Sequence, residues 1–349
     1  MRALVLTEYK RFEYTQVPLP RCGPKEVLIA VKACGICGSD VHGMDGSTGR
    51  RRPPIIMGHE AAGTIAKVGA GVREWRDGDR VTFDSTISCG VCAYCQQGRV
   101  NLCDNRRVLG VSCEDYRQDG AFAAYISVPA SILYRLPGAL SFDHAAMAEA
   151  VSVAAHAVGR ANLSPEDTVV VIGTGMIGLL VVQVLRLAGC RIIAVDIDKT
   201  RLDLASAFGA HETICYDDTD ALAHIRACTE GAGADVAFEV VGADPTVRLA
   251  VESLRKGGTA VLVGNVTPHV TFPLQLAVTR ELSILSSCAS AGEYPRVLDW
   301  LADGTVQVDR LITAVAPLAE GAKWFDRLYA KDKGLMKVIL TPDDEGQSP

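Results

Sequence analysis

Four cysteines in one short stretch carry the clearest chemistry in this chain of 349 residues. They follow the pattern C-x2-C-x2-C-x7-C and are Cys89, Cys92, Cys95 and Cys103. Four thiolates on one glycine-containing loop can surround a tetrahedral Zn²⁺, and a site with four protein ligands has no open position. The pattern therefore predicts a structural zinc site. A loop of free thiols is the alternative, and it is disfavoured because exposed thiols this close together would be prone to oxidation.

A second set of metal-binding residue types is dispersed along the chain. Cys37 begins the segment 37–42 (CGSDVH), His59 and Glu60 are adjacent, and Glu149 lies much further on. A thiolate, an imidazole and two carboxylates suit a zinc site that keeps an exchangeable position. The spacing alone leaves open whether these residues meet, because a single histidine beside a strand is usually a core or surface residue.

A glycine-rich turn in the middle of the chain has the pattern of a dinucleotide-binding loop. The sequence GTGMIG follows a buried apolar strand and opens an apolar helix at 177–187, and an aspartate ends the next strand about 20 residues later. The glycines allow a tight turn close to a pyrophosphate, and the helix N-terminus offers unpaired N–H groups to it. The candidate cofactor-binding residues are Gly173, Gly175, Met176, Ile177, Gly178, Asp196 and Arg201.

Asp196 also bears on the choice of cofactor. A carboxylate at this point accepts hydrogen bonds from the adenosine ribose and repels a 2′-phosphate, so NAD is favoured over NADP. Lys199 and Arg201 lie nearby in the sequence and weaken that preference. A plain glycine turn in an α/β sheet is the alternative, and the agreement of strand, turn, helix and acid argues against it.

The elements that must position these residues fall into two kinds. The first part of the chain has short strands separated by Gly and Pro, which is typical of a β-barrel-like domain. From about residue 152 the segments lengthen, and apolar strands without polar alternation predict a parallel sheet covered on both faces. The predicted strands are 1–7, 27–32, 63–68, 80–83, 168–172, 191–195, 235–240, 259–263, 281–286 and 336–340, and the further predicted helices are 199–208, 246–254 and 295–302. Asp244 and Pro245 are predicted as N-cap and first residue of the second of these helices.

Composition bounds the class of protein. The chain is 48% hydrophobic with a formal charge of −6, and its length predicts about two domains. It lacks the strongly basic domain expected of a nucleic-acid-binding protein, and no apolar run approaches the ~20 residues of a membrane span. The apolar run at the N-terminus is too short for a signal peptide. We therefore expect a soluble cytoplasmic protein, in which clustered cysteines bind metal rather than form disulfides.

The combination of motifs resembles the zinc-dependent medium-chain dehydrogenases, and among them the sorbitol (polyol) dehydrogenase branch. The resemblance covers essentially the whole chain and includes 58–60 (GHE), 78–81 (GDRV) and 333–338 (KGLMKV) besides the motifs above. It implies an α/β protein with a β-barrel. The implied parts are a GroES-like catalytic domain at 1–151, completed by 291–349, a doubly wound Rossmann NAD-binding domain at 152–290, and a cleft between them that holds nicotinamide and zinc.

The resemblance also implies the roles of the site residues. Cys37, His59 and Glu60 would bind a catalytic zinc, and Glu149 would bind it directly or through one water. Ser39 would pass the substrate proton towards solvent, through the cofactor ribose and His42. The implied enzyme holds two zinc ions per subunit, uses NAD, forms a homotetramer or homodimer, and reversibly oxidises a secondary alcohol of a polyol (sorbitol-, iditol- or galactitol-like) to a ketose.

The substrate stays open because two positions depart from that branch. Residues 287–290 (SCAS) stand where animal sorbitol dehydrogenases have Arg-Tyr, and Gly43 stands where they have tyrosine. A polyol phosphate such as galactitol-1-phosphate, a cyclitol and L-threonine are the alternative substrates. Arg50, Arg51 and Arg52 could hold a phosphate or carboxylate of the substrate, or form a solvated loop. A non-catalytic NAD(P)H-binding protein and a zinc-ribbon interaction module are alternatives from other classes.

Overall fold

A computed structural model describes residues 1–217 and 220–343, and it divides into two compact units. The first unit comprises Met1–Glu149 together with the segment from Ala291 onwards, and the second comprises Ala150–Ser290. The composition of residues 343–349 predicts a polar tail, and all of it except Asp343 lies outside the described residues. Among those that are described, no helix is both long and apolar enough to cross a membrane.

The strands of the first unit are mostly short and antiparallel. They are β1 (Arg2–Glu8), β2 (Arg11–Gln16), β3 (Glu26–Gly35), β4 (Ile55–Ile56), β5 (Glu60–Val68), β6 (Arg80–Phe83), β7 (Thr86–Ile87), β8 (Arg107–Val108), β9 (Val111–Ser112), β10 (Arg117–Gln118), β11 (Tyr125–Pro129), β12 (Leu133–Arg135), β19 (Ile312–Pro317) and β20 (Lys337–Thr341). Within the described residues, the main sheet has seven strands in the order β12-β6-β5-β3-β20-β19, with β11 paired to β3. Its apolar side chains enclose one buried core that includes Ile29, Val31, Phe122 and Phe325.

The strands of the second unit form a parallel sheet. They are β13 (Thr168–Ile172), β14 (Arg191–Asp196), β15 (Glu212–Cys215), β16 (Ala234–Glu239), β17 (Leu254–Leu262) and β18 (Ser283–Ser286). In the described part of the chain their order is β15-β14-β13-β16-β17-β18, which is that of a doubly wound dinucleotide-binding fold. The central strands are buried on both faces, as their apolar runs without alternation predict.

Helices connect the strands of both units. They are α1 (Gly38–Gly43), α2 (Ala93–Gln96), α3 (Phe142–Ala146), α4 (Ala148–Arg160), α5 (Met176–Leu187), α6 (Lys199–Ala207), α7 (Ala221–Cys228), α8 (Asp244–Ser253), α9 (Leu274–Thr279), α10 (Tyr294–Ala302) and α11 (Gly321–Tyr329). The predicted fold class, a GroES-like domain with a Rossmann domain, is confirmed by this architecture and by the domain families reported below.

The predicted start of α8 is wrong. Ala243 is the N-cap, and Asp244 is already helical. The Asp244 carboxylate instead accepts hydrogen bonds from the backbone N–H and the hydroxyl of Thr271, at 3.2 and 2.8 Å. The predicted end of this helix is also wrong by one residue, because α8 ends at Ser253 and Leu254 is the first residue of β17.

Candidate active site and metal centres

Three of the dispersed donors meet in the first unit. The ligand atoms of Cys37, His59 and Glu60 all lie within 4.8 Å of one another. Cys37 follows β3, and the other two residues lie where β5 begins. Because β3 and β5 pair with Gly35 opposite Glu60, the end of one strand and the start of the other are held side by side. One thiolate, one imidazole and one carboxylate form a donor set that suits zinc and leaves a position open.

Cys37 is fixed by the helix that it caps. As the N-cap of α1, its Sγ accepts hydrogen bonds from the backbone N–H of Ser39 at 3.4 Å and from the Ser39 hydroxyl at 3.3 Å. Hydrogen bonds to sulfur favour the thiolate, which is the form that binds metal. Ser39 and His42 lie three residues apart on α1, so they share one face of this short helix, and both are exposed.

His59 is oriented by a buried carboxylate. Oδ2 of Asp40 lies 3.4 Å from Nδ1 of His59, and both side chains are buried. Burial lowers the pKa of the imidazole, but Asp40 and Cys37 outweigh it and raise the pKa well above its ordinary value. A carboxylate facing one ring nitrogen is the usual way in which metal-binding histidines are held in place.

Arg51 continues this chain of contacts. Its Nε and Nη2 donate to Oδ1 of Asp40 at 3.1 and 2.8 Å, and Nη2 also donates to Oγ of Ser39 at 3.3 Å. The side chain is only 4% exposed. Both sequence interpretations are therefore wrong for Arg51, since it is neither solvated nor free to hold an anion. The exposed Arg52 is also paired, with Glu114 at 2.9 Å.

Glu60 has a buried cationic partner at the far end of the chain. Nζ of Lys337 donates to Oε1 and Oε2 of Glu60 at 2.8 and 2.5 Å and to the carbonyl of Ile36 at 3.1 Å. Lys337 is the first residue of β20, which pairs with β3 beside the site. A carboxylate has about four lone-pair positions, so two contacts to one ammonium leave capacity for a metal.

Glu149 lies in the first turn of α4 and is not among the three clustered donors. Burial raises the pKa of its carboxyl group to about 7, with His59, Glu60 and Lys337 acting on it as well. Whether it binds zinc directly or through water stays a prediction.

The four-cysteine loop closes on itself. The ligand atoms of its four members, Cys89, Cys92, Cys95 and Cys103, lie within 4.8 Å of one another. The backbone N–H of Cys89 donates to Sγ of Cys103 at 3.2 Å, and that of Cys92 donates to Sγ of Cys89 at 3.4 Å. Backbone N–H groups lower the pKa of the Cys89 thiol to about 6. Thiolates gathered in this way fit a tetrahedral zinc with no open position.

The glycine-rich loop lies in the second unit, after the carboxyl end of β13. Gly173 has φ +92°, a conformation that favours glycine, and Gly175 is the N-cap of α5. A Cβ on Gly178 would overlap the carbonyl oxygen of Gly173, whereas a Cβ on Gly175 would meet nothing within 4 Å. The backbone therefore packs tightly on one side and is open at Gly175, which fits the close approach of a pyrophosphate.

Asp196 has a structural task besides the predicted one. Its Oδ2 accepts a hydrogen bond from the backbone N–H of Thr174 at 2.6 Å, and its Oδ1 accepts one from that of Asp198 at 2.9 Å. The carboxylate thus ties the glycine loop to the end of β14. Arg201 pairs with Asp198 at 3.7 Å and is partly exposed. Met176 and Ile177 are the first residues of α5.

Both units match known domain families. Residues 23–138 match the alcohol dehydrogenase GroES-like domain, and residues 177–303 match the zinc-binding dehydrogenase domain. With the full-length relatives below, they show that the chain belongs to the zinc-dependent medium-chain alcohol dehydrogenase family, in its polyol branch. It is an oxidoreductase that uses zinc and a nicotinamide dinucleotide.

The relatives align over nearly the entire chain. D-xylulose reductase A of Aspergillus niger is 36% identical over 351 residues, covering 98% of this chain and 97% of that protein. Sorbitol dehydrogenase of Bacillus subtilis is 33% identical over 348 residues, covering 98% of each. A zinc-binding dehydrogenase of Sinorhizobium meliloti 1021, crystallised with NADP, superposes with a TM-score of 0.89 at 33% identity, covering 98% of this chain and 99% of that one.

Proposed function

We propose that the protein catalyses the reversible, NAD-linked oxidation of a secondary alcohol of a polyol to a ketose, with a catalytic zinc at Cys37, His59 and Glu60. This proposal rests on one observation: the ligand atoms of three residues, not four, lie within 4.8 Å of one another. Three protein ligands leave a coordination position for the substrate oxygen, whereas four thiolates leave none. The four-cysteine loop is therefore assigned a second, structural zinc.

Each residue of the site then has a task. Zinc bound here would act as a Lewis acid and lower the pKa of the substrate hydroxyl. The exposed Ser39 hydroxyl would take up the proton, and His42 on the same face of α1 would receive it next. Arg51 donates to Ser39 Oγ and so helps to hold this hydroxyl in place. Glu149 is proposed to face the site through a water molecule.

The polyol substrate is inferred from the relatives. Both curated relatives are named for enzymes that act on a sugar alcohol or its ketose. Of the three arginines considered for a phosphate, the buried Arg51 is held by Asp40 and Arg52 forms an exposed pair with Glu114, while Arg50 is exposed. The choice therefore rests on the relatives, which are named for unphosphorylated compounds. An unphosphorylated polyol is therefore favoured over a polyol phosphate.

NAD is proposed as the preferred cofactor because a carboxylate, Asp196, ends β14. The Sinorhizobium relative was crystallised with NADP, so the preference for NAD has to be measured for this protein. The variant Asp196→Ala should raise KM for NAD and relax the preference between cofactors. A wild-type enzyme that uses NADP better would show that Lys199 or Arg201 dominates. Thermal unfolding of the variant separates loss of ribose contacts from loosening of the loop at Thr174.

A homo-oligomer, either a homotetramer or a homodimer, is also proposed. Among the described strands, β18 is an edge strand of the parallel sheet, and Leu274 and Val278, on the helix that precedes it in the chain, are 65% and 66% exposed. An edge strand and exposed apolar side chains are both features that suit pairing with a second copy of the chain. Light scattering after size-exclusion chromatography would determine the number of subunits. A cytoplasmic location is proposed because clustered cysteines that bind metal rather than form disulfides are typical of a reducing compartment.

The decisive experiment for the proposed function is a substrate screen. Formation of NADH would be followed with polyols, polyol phosphates, cyclitols and L-threonine, each at several concentrations. The proposal expects the highest kcat/KM with an unphosphorylated polyol, and none in the variant His59→Ala. A higher kcat/KM with a phosphate ester or with threonine would overturn the substrate assignment. Absence of turnover with every alcohol by a zinc-replete enzyme would favour a non-catalytic NAD(P)H-binding role.

A further inference from the structure

A third group of metal-ligating side chains lies in the second unit, apart from the two zinc sites described above. The ligand atoms of Glu212, His224 and Cys228 all lie within 4.8 Å of one another. Glu212 is the first residue of β15, and the other two are on α7. The three residues offer one carboxylate oxygen, one imidazole nitrogen and one sulfur, which are the three donor types that zinc accepts in proteins.

The spacing of these donors is close to that of a real coordination sphere. Zn–N and Zn–O bonds of about 2.0–2.2 Å place two ligands of a tetrahedral zinc roughly 3.4 Å apart. Nε2 of His224 already lies 3.5 Å from Oε1 of Glu212. His224 and Cys228 are four residues apart on α7, so their side chains lie on one face of the helix and point to the same spot.

The helix that carries two of the donors is rigidly held. Ile225, between them in sequence, is fully buried in the core of the second unit, and Cys228 packs against that core. Arg191, the first residue of β14, donates from Nη1 to the carbonyl oxygen of Cys228 at 2.5 Å. Two contacts therefore hold the end of α7 against the sheet, one through the buried Ile225 and one through Arg191. The three donor side chains would need to move little to bind an ion.

The existing contact between the donors is weak enough to be displaced. The ion pair of His224 and Glu212 is partly exposed, with side-chain exposures of 38% and 37%, and pairs of this kind contribute little stability. Burial and Glu212 raise the pKa of the Cys228 thiol, against the opposing effect of Arg191. Zinc must therefore displace a proton from this thiol when it binds.

We propose that Glu212, His224 and Cys228 form a third, exchangeable zinc site that links β15 to α7. The donors lie at the amino ends of the parallel strands, whereas the glycine-rich loop follows the carboxyl end of β13. An ion bound here would therefore lie at the opposite end of the parallel strands from the dinucleotide-binding loop. It would stabilise the second unit without taking part in hydride transfer. With three protein ligands, the fourth position would hold water, and Co²⁺ would bind with similar geometry.

The test compares zinc binding by four forms of the full-length enzyme. The forms are the wild type, Cys228→Ser, His224→Gln and a control, Cys215→Ser, which removes a thiol from the same strand as Glu212 but outside the cluster. Each is dialysed against micromolar free Zn²⁺, and bound zinc is measured by atomic absorption. All four forms keep the other two zinc sites, so a difference in bound zinc between forms reports on the third site alone.

We expect the wild type and Cys215→Ser to bind one equivalent more than Cys228→Ser and His224→Gln. Addition of Zn²⁺ should release a proton and raise the Tm only in the first two forms. With Co²⁺, a thiolate-to-metal charge-transfer band of the third equivalent should disappear in Cys228→Ser. Equal zinc content in all four folded forms would overturn the proposal and leave only the ion pair of Glu212 and His224. His224→Gln keeps the test decisive if Cys228→Ser fails to fold, because His224 is partly exposed.

Discussion

The two zinc sites of the first unit are built in opposite ways. The four-cysteine site takes every donor from the single segment 89–103, and backbone N–H groups of that same segment contact its sulfurs. The site at Cys37, His59 and Glu60 takes its donors from two separate segments and depends on buried side chains from elsewhere. Asp40 and Arg51 support His59, and Lys337 supports Glu60.

This difference follows from what each site must do. Four thiolates surround an ion without help, and the closed shell that results makes the ion resistant to exchange. An open site has only three protein donors, so the protein must fix each donor by other means. Here those means are two buried ion pairs, which cost desolvation free energy and are retained because they orient the ligands.

The largest predicted effect of a single substitution concerns proton transfer at the open site. Ser39→Ala should reduce kcat about 10²–10⁴-fold, equivalent to about 3–5 kcal/mol, because the hydroxyl proton loses its short route out. Zinc content and NAD affinity should stay unchanged, because the backbone N–H of Ser39 still donates to Sγ of Cys37. The Tm should fall only slightly, from loss of the hydroxyl's contacts with Cys37 and Arg51. Steady-state kinetics, metal analysis and thermal unfolding of the same preparation would check this.

Two variants sharpen that prediction. His42→Ala should cost less, since water can bypass it, and higher pH or small imidazole-like bases should rescue part of the loss. Ser47→Ala removes another exposed hydroxyl of the same loop and should leave kcat near that of the wild type. The relay would be eliminated by a folded, zinc-replete Ser39→Ala enzyme with near wild-type kcat.

The next effect concerns stability and compares two neighbouring arginines. Arg51→Met leaves the buried Asp40 carboxylate without its cation and should lower the free energy of unfolding by about 3–5 kcal/mol. Arg52→Met breaks an exposed pair and should cost about 0–1 kcal/mol. Urea unfolding at neutral pH would measure both. Equal, small losses would show that Arg51 does not support the site.

The Arg51 variant should also change the acid sensitivity of the protein. Burial raises the pKa of Asp40, but His59 and Arg51 outweigh it and lower the pKa from 3.8 to about 2. A carboxyl whose pKa is depressed by folding stabilises the native state above its unfolded pKa and loses this effect as the pH falls through the folded value. The difference in stability between wild type and Arg51→Met should therefore be full above about pH 4 and shrink towards pH 2.

A smaller effect should separate the two zinc sites directly. Asp40→Asn weakens the orientation of His59 and should reduce zinc affinity at the open site about 10- to 100-fold. Zinc held by the four cysteines should be unaffected. The matched control is Asp104→Asn, which removes an exposed carboxylate next to Cys103 and should leave affinity at the open site unchanged. Competition with a chromophoric chelator would give the affinity of each site, and equal weakening of both sites by Asp40→Asn would contradict the assignment.

The sequence was most informative where chemistry is local. Cysteine spacing predicts one closed metal site by itself, and strand, glycine turn, helix and acid together predict the dinucleotide loop and the parallel sheet. The residue types of the dispersed donors indicated a possible zinc site, but the expectation that they meet came only from the resemblance. Their meeting depends on the pairing of β3 with β5, a contact that no local pattern reveals. Strands of two residues, such as β7 and β8, are too short to show alternation.

The supporting residues were missed for a related reason. Asp40, Arg51 and Lys337 are single charged residues in segments without periodicity, and a charge in such a segment is usually solvated. Asp40 lies inside the motif 37–42 and Lys337 inside 333–338, so both were within recognised segments but without an assigned partner. Asp244 failed as a predicted N-cap because a distant residue, Thr271, uses its carboxylate.

The most direct test of the central claim is a timed treatment of the fully loaded enzyme with a chelator, with bound zinc and activity measured in each sample. The form used is Cys228→Ser, so that the proposed third site is absent. Of the two zinc sites of the first unit, only that at Cys37, His59 and Glu60 has an open position. Its zinc should therefore leave first, and activity should fall in proportion to that equivalent. Zinc at the four cysteines should leave later, after activity is gone. Removal of one full equivalent from the Cys228→Ser enzyme without loss of activity would contradict the account.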